Sequence, residues 1–148
     1  MTFILNTLIL ILTFLTMEFV AWFTHKYIMH GFLWFLHEDH HKTNNENVFE
    51  KNDFFFLIFA IPGIILLIFG LEANFNYYFW IGMGISMYGF AYFFVHDLFI
   101  HQRLKVLRNT KNKYLRSVRK AHKIHHKNIG KYDGVCFGML FFPKKYLK

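Results

Sequence analysis

Residues 54–95 read FFFLIFAIPGIILLIFGLEANFNYYFWIGMGISMYGFAYFFV. Two apolar runs, Phe54 to Leu71 and Tyr77 to Val95, are joined by only five residues, Glu72 to Asn76. A helix that crosses a bilayer needs about 20 apolar residues, with a working range of about 17 to 25. The two runs have 18 and 19, and neither contains Lys or Arg. So short a link forces them into a tight helical hairpin. Pro62 and Gly63 predict a kink in the first run, of the kind membrane helices tolerate when neighbours satisfy the freed backbone groups.

A third run of 21 residues, Phe3 to Phe23, lies upstream. It lacks a positive leader and a small-residue cleavage site, so it reads as a retained span rather than a signal peptide. The fold class follows: an all-α integral membrane protein with three transmembrane helices, about 3–23, 54–71 and 77–95, plus helices outside the membrane, in a single domain 1–148.

Composition agrees. Apolar residues make up 55% of the 148, aromatic residues 22%, and charged residues 18%, the last below the roughly 25% of soluble domains. That excludes disorder and an ordinary small globule, which cannot hide so much apolar surface. The net charge of +8 would suit a nucleic-acid binder, but the hydrophobicity would not. The single cysteine, Cys136, excludes an intrachain disulfide and a Cys-rich metal site.

Charge also sets an orientation. Of 17 basic residues, 14 lie in 96–148 and three, Lys26, Lys42 and Lys51, in 24–53; the loop 72–76 has none. The positive-inside rule then predicts an outside N-terminus and places 24–53 and 96–148 in the cytoplasm, at the inner (plasma) membrane of the cell. The basic tail fits lipid headgroups, or an acidic electron donor.

All ten histidines fall in those two cytoplasmic stretches. They form His25/His30, His37/His40/His41, His96/His101 and His122/His125/His126, that is HxxxxH, HxxHH, HxxxxH, HxxHH. One pair of motifs occurs twice in the same order, each copy starting where a span ends. Positions i, i+3 and i+4 share a helix face, so each HxxHH box converges. For the last box the helix is predicted over roughly 112–127, with Leu115, Val118 and Ala121 on the same stripe. Five residues rotate an ideal helix by about 140° from a common face. In the HxxxxH boxes, therefore, either the helix deforms or the two rings serve different metals.

Imidazole is the commonest metal ligand and suits Zn, Cu, Fe and Ni. Ten nitrogens exceed one coordination shell and fit two metals with four or five each, and two adjacent metals with spare positions point to O2 chemistry. Glu18, seven residues before His25 and inside a span, is a candidate to orient a ligand ring, and Asp97 and Asp133 are similar candidates.

Further blocks sharpen the reading. Met17-Glu18 with Ala21-Trp22, His25 to Trp34, Glu50 to Asp53, His96-Asp97 with His101-Gln102-Arg103, Ala121-His122 with His125-His126, and Phe137-Gly138 resemble the bacterial non-haem di-iron β-carotene 3-hydroxylases of the fatty-acid-hydroxylase superfamily. The likeness runs from about residue 17 to 140. It departs at Leu104-Lys105-Val106, where that family often has an aromatic–Pro–Phe turn. The resemblance implies two non-haem irons on the ten histidines and O2 as co-substrate. It also implies a reduced ferredoxin-type donor and hydroxylation at C3 of β-ring carotenoids, β-carotene passing through cryptoxanthin to zeaxanthin. Two alternatives stand beside it. One is another membrane di-iron lipid or sterol hydroxylase. The other is a histidine-rich metal transporter or binding protein, which would place ligands along the spans.

Overall fold

The computed structural model describes residues 2–42, 49–105, 107–132 and 134–147. Among them all regular structure is helical. Helix α1 (Phe3–Phe23) runs into a π-helical segment, Thr24–Phe32, and after a kink at Gly31 the chain enters the short α2 (Trp34–His41). A 3-10 turn, Lys51–Asp53, leads into α3 (Phe54–Glu72), and α4 (Tyr77–Tyr92) returns and again ends in a π-helical segment, Phe93–Ile100. Helix α5 (Lys113–His125) and a 3-10 turn, Lys144–Tyr146, complete the chain.

Three continuous helical stretches, Phe3–Phe32, Lys51–Glu72 and Tyr77–Ile100, are long and apolar enough to cross a membrane. Their large side chains mostly point outward: Leu12 and Phe19 on α1, Ile61 and Ile64 on α3, and Phe90 on α4 are all exposed. In water that would be a liability; in a bilayer it is the solvated face. Helix α4 is central, packed on α3 at one side and α1 at the other.

Lipid is as apolar as leucine, so helices there associate through close backbone approach at small residues. A Cβ on Gly82 would stand 2.8 Å from Leu67 N and 2.9 Å from Gly63 O of α3. A Cβ on Gly84 would stand 2.8 Å from Leu10 O of α1. The α3–α4 link is closed by Asn74 and Phe75 in the left-handed region (φ 54° and 58°). Phe75 N–H donates to Gly70 O at 2.8 Å, and the Asn76 side chain caps α4 by accepting from Tyr78 N–H at 3.0 Å. Helix α3 passes through Pro62 as one unbroken element.

The two π-helical ends, α2 and α5 gather at the same end of the bundle, because α1 and α4 run in the same direction. A small core of Met17, Tyr88 and Met139 joins the spans to the C-terminal loop. A second, Phe99, Ile100 and Val118, seats α5 on the end of α4. Replacing Gly82 with Leu forces α3 and α4 apart and should cost about 1–3 kcal/mol or more, as overpacking does. Thermal unfolding in detergent measures it, with the outward-facing Ile64→Leu expected to match the parent chain.

Candidate metal centre

The HxxxxH boxes lie on the two π-helical segments. There His101 N–H donates to His96 O at 2.9 Å, and Leu33 N–H to Ile28 O at 3.0 Å, both i to i−5. The wider turn brings residues five apart onto one side, undoing the 140° divergence of an ideal helix. The His25 and His30 ring centres are 5.1 Å apart, and those of His96 and His101 are 4.6 Å apart. Of the two alternatives that spacing left open, the helix deforms.

The HxxHH boxes behave differently from the expected common cluster. His37 and His41, one helical turn apart on α2, join His25, His30 and His125. His40 turns the other way and joins His101, His122 and His126. In each group the facing ligand atoms all lie within 4.8 Å of one another. His96 borders the second group: its ring is 4.8 Å from that of His122 and 5.0 Å from that of His40, and its buried Nε2 has no hydrogen-bond partner. With His96 counted beside the second group, each half of the chain supplies four rings to its own group and one, His40 or His125, to the other. The groups adjoin, with His41 and His126 stacked at 4.3 Å.

The nitrogens that face one another are Nε2. The pairs His25–His37 and His25–His125 are 3.0 Å apart, His37–His41 3.1 Å and His30–His125 3.2 Å. In the second group His122 lies 2.9 Å from both His101 and His126. With metal–imidazole bonds of about 2.0–2.1 Å, cis ligands around one ion sit about 3 Å apart. The donor set fits such an ion, and the buried, unpartnered Nε2 of His40 points the same way.

The outer nitrogens explain the inward aim. Nδ1–H donates to the carbonyl of Phe137 from His25 (2.9 Å), of Ile129 from His30 (2.7 Å) and of Val135 from His125 (3.1 Å), and to Asn52 Oδ1 from His37 (2.6 Å). A carbonyl can only accept, so the proton is on Nδ1 and the Nε2 lone pair is free for a metal. In the second group the acceptors are carboxylates: His40 donates to Glu50 at 2.7 Å and His96 to Asp97 at 3.0 Å. Arg103 pairs with both acids, 3.3 Å from Glu50 and 3.9 Å from Asp97, and with Asp53 at 2.8 Å.

The environment keeps His37, His41 and His126 neutral. Burial, and then neighbouring imidazoles, push His41 down to about 2. Burial lowers His37 to about 3, against the Asn52 hydrogen bond, and lowers His126 to about 4. A neutral imidazole is the ligand form.

Glu18 does not orient His25 directly. It is buried, its Oε1 accepts from the N–H groups of Met139 (3.0 Å), Leu140 (2.7 Å) and Phe141 (3.1 Å), and its Oε2 accepts from Tyr88 O–H at 2.7 Å. Asp97 does face a histidine, its neighbour His96; Asp133 lies outside the described residues. The sequence reading missed Glu50, Asn52 and Arg103 as site residues. A signal existed in the polar run Glu50 to Asp53 abutting an apolar span. The carbonyls of residues 129, 135 and 137 left none, since backbone acceptors are invisible in residue types.

Fold and site together define a class: a helical protein built for a membrane, with a polyhistidine centre of metal-binding type at one end of its spans. A model of the family described as fatty acid hydroxylase matches residues 10–143, and the chain belongs to that family. It is 41% identical to "Beta-carotene hydroxylase" of Pseudescherichia vulneris, over 95% of this chain and 79% of that one. It is 39% identical to "Beta-carotene hydroxylase" of Pantoea ananas, over 97% and 81%. It is 42% identical to "Beta-carotene 3-hydroxylase 2, chloroplastic" of Arabidopsis thaliana, over 87% and 43%. No solved structure matches the chain significantly.

Two outcomes are expected. Asn52→Ala removes the acceptor that fixes His37 and should weaken metal binding about 10- to 100-fold, read by anaerobic titration against Lys51→Ala as control. The metal-free protein should lose stability as pH falls below about 6.5. There unfolded histidines take up protons that folded His37 and His126 refuse until near 3 and 4. Chemical unfolding of the apo-protein between pH 7.5 and 5 measures this, and a flat profile would contradict it.

Proposed function

We propose that this chain hydroxylates C3 of β-ring carotenoids, using O2 and electrons from a reduced ferredoxin-type donor. The observation that carries the reading is the near-complete alignment, at about 40% identity, with proteins named beta-carotene hydroxylase. The ten clustered imidazoles supply a centre fit for that chemistry.

In this reading His25, His30, His37, His41 and His125 hold one iron, and His40, His101, His122 and His126, with His96 beside them, hold the second. The irons, when bound, supply O2 activation for inserting one oxygen atom into an unactivated C–H bond, the other oxygen leaving as water with two electrons and two protons consumed. The chain's own contribution is positional. Nδ1 acceptors lock His25, His30, His37, His40, His96 and His125 so that these rings need not reorganise during turnover. Buried neutral imidazoles keep the centre dry and limit protonation.

Topology joins the site to its substrate. A carotenoid is a hydrocarbon rod dissolved in a core about 30 Å thick, so its end rings lie near the interfaces. The histidines gather where α1 and α4 end, and there a ring can meet them. By charge, that end faces the cytoplasm and the N-terminus lies outside, so a soluble donor reaches the centre from the aqueous side. The two rings of one carotenoid are then served in separate visits.

Expression in a β-carotene-producing bacterium, followed by pigment chromatography, tests the reading. A monohydroxylated product should appear first and a dihydroxylated one later. Unchanged pigment from a protein that is made and inserted would overturn it, and altered metal accumulation without new pigment would favour a transport role. A reporter fused after Lys148 should behave as cytoplasmic.

A further inference from the structure

Glu18 is the one acid buried within α1, and no ligand imidazole touches it. Its two oxygens accept four hydrogen bonds, three of them from consecutive backbone N–H groups, Met139 to Phe141, and one from Tyr88 on α4. A single carboxylate therefore ties the C-terminal loop to two spans. The loop is shaped to receive it: a Cβ on Gly138 would stand 2.7 Å from Glu18 Oε1.

The same loop serves the histidines. Phe137, one residue before Gly138, accepts from His25 through its carbonyl, and its ring lies 5.0–5.5 Å from those of His25, His30 and His125. Val135 accepts from His125. All these rings belong to one group. The second group depends instead on Glu50 and Asp97, held by Arg103 on the other side.

We infer that Glu18 is a positioning residue for one of the two metal groups only: by clamping residues 139–141 it fixes the carbonyls that aim His25 and His125. This rests on the two-metal reading above. A generic structural acid would affect both groups alike, so selectivity is the distinguishing sign.

The test uses the full chain in lipid nanodiscs, metal-free and then titrated anaerobically with Fe2+. In Glu18→Ala and in Gly138→Ala, which pushes the clamp apart by its new Cβ while keeping the acid in the sequence, amides 139–141 should exchange faster. One of two Fe2+ affinities should fall about 10- to 100-fold, the range for loss of a ligand's outer partner, and the other should hold. Glu18→Gln keeps an acceptor oxygen and should fall between. If Glu18→Ala does not fold, Gly138→Ala and Glu18→Gln decide. Two unchanged affinities, or two lost together in a variant with parental helicity and melting, would overturn the inference. A parent chain that takes up only one Fe2+ would instead overturn the two-metal reading. The clamp would then stand or fall on whether that one affinity tracks amide exchange.

Discussion

An imidazole can offer a metal only the nitrogen that does not carry its proton. A buried ring aimed at a metal therefore needs an acceptor on its outer side, and His25, His30, His37, His40, His96 and His125 have such acceptors. Much of the structure beyond the spans supplies them. Asn52 and Glu50 come from the approach to α3, and Asp97 from the end of α4. The carbonyls of residues 129, 135 and 137 come from the loop after α5. Without those partners a ring could flip or change tautomer, and a buried unpaired N–H would cost about 1–3 kcal/mol.

That requirement explains two departures from regular structure. Both membrane helices that deliver histidines switch to π-helical turns at their ends, so that a five-residue spacing acts as one face. Each short α-helix that follows straddles both groups, giving i and i+4 to its own and the middle ring to the other. The crossing of His40 and His125 ties the two halves of the chain into one centre. The outer acceptors are nonetheless unequal: neutral amide and carbonyl oxygens serve one group and carboxylates the other, so the first set of rings is the less basic.

The spans were legible because length and apolarity suffice to define them, and α1, α3 and α4 begin where the apolar runs begin. The histidines were legible because their motif repeats. Their partition between groups was not, since His40 and His125 turn away from their own boxes toward rings of the other half of the chain, which only tertiary structure brings near. Glu18 was visible as a misplaced acid, yet its partners are backbone groups 121 to 123 residues away, beyond any local pattern. Glu50 and Asn52 matter through hydrogen bonds to α2, which only tertiary structure brings near. Pro62, read from sequence as a kink that a membrane helix tolerates, sits within a continuous α3.

The central claim is that the ten rings form two neighbouring metal groups sharing His40 and His125 across the halves. Anomalous scattering at the iron edge, from crystals of the full chain grown with Fe2+, tests it most directly. The account predicts two peaks, one enclosed by His25, His30, His37, His41 and His125, the other by His40, His101, His122 and His126 with His96 alongside. A single peak, or peaks whose ligands follow the sequence boxes with His37, His40 and His41 on the same ion, would contradict it.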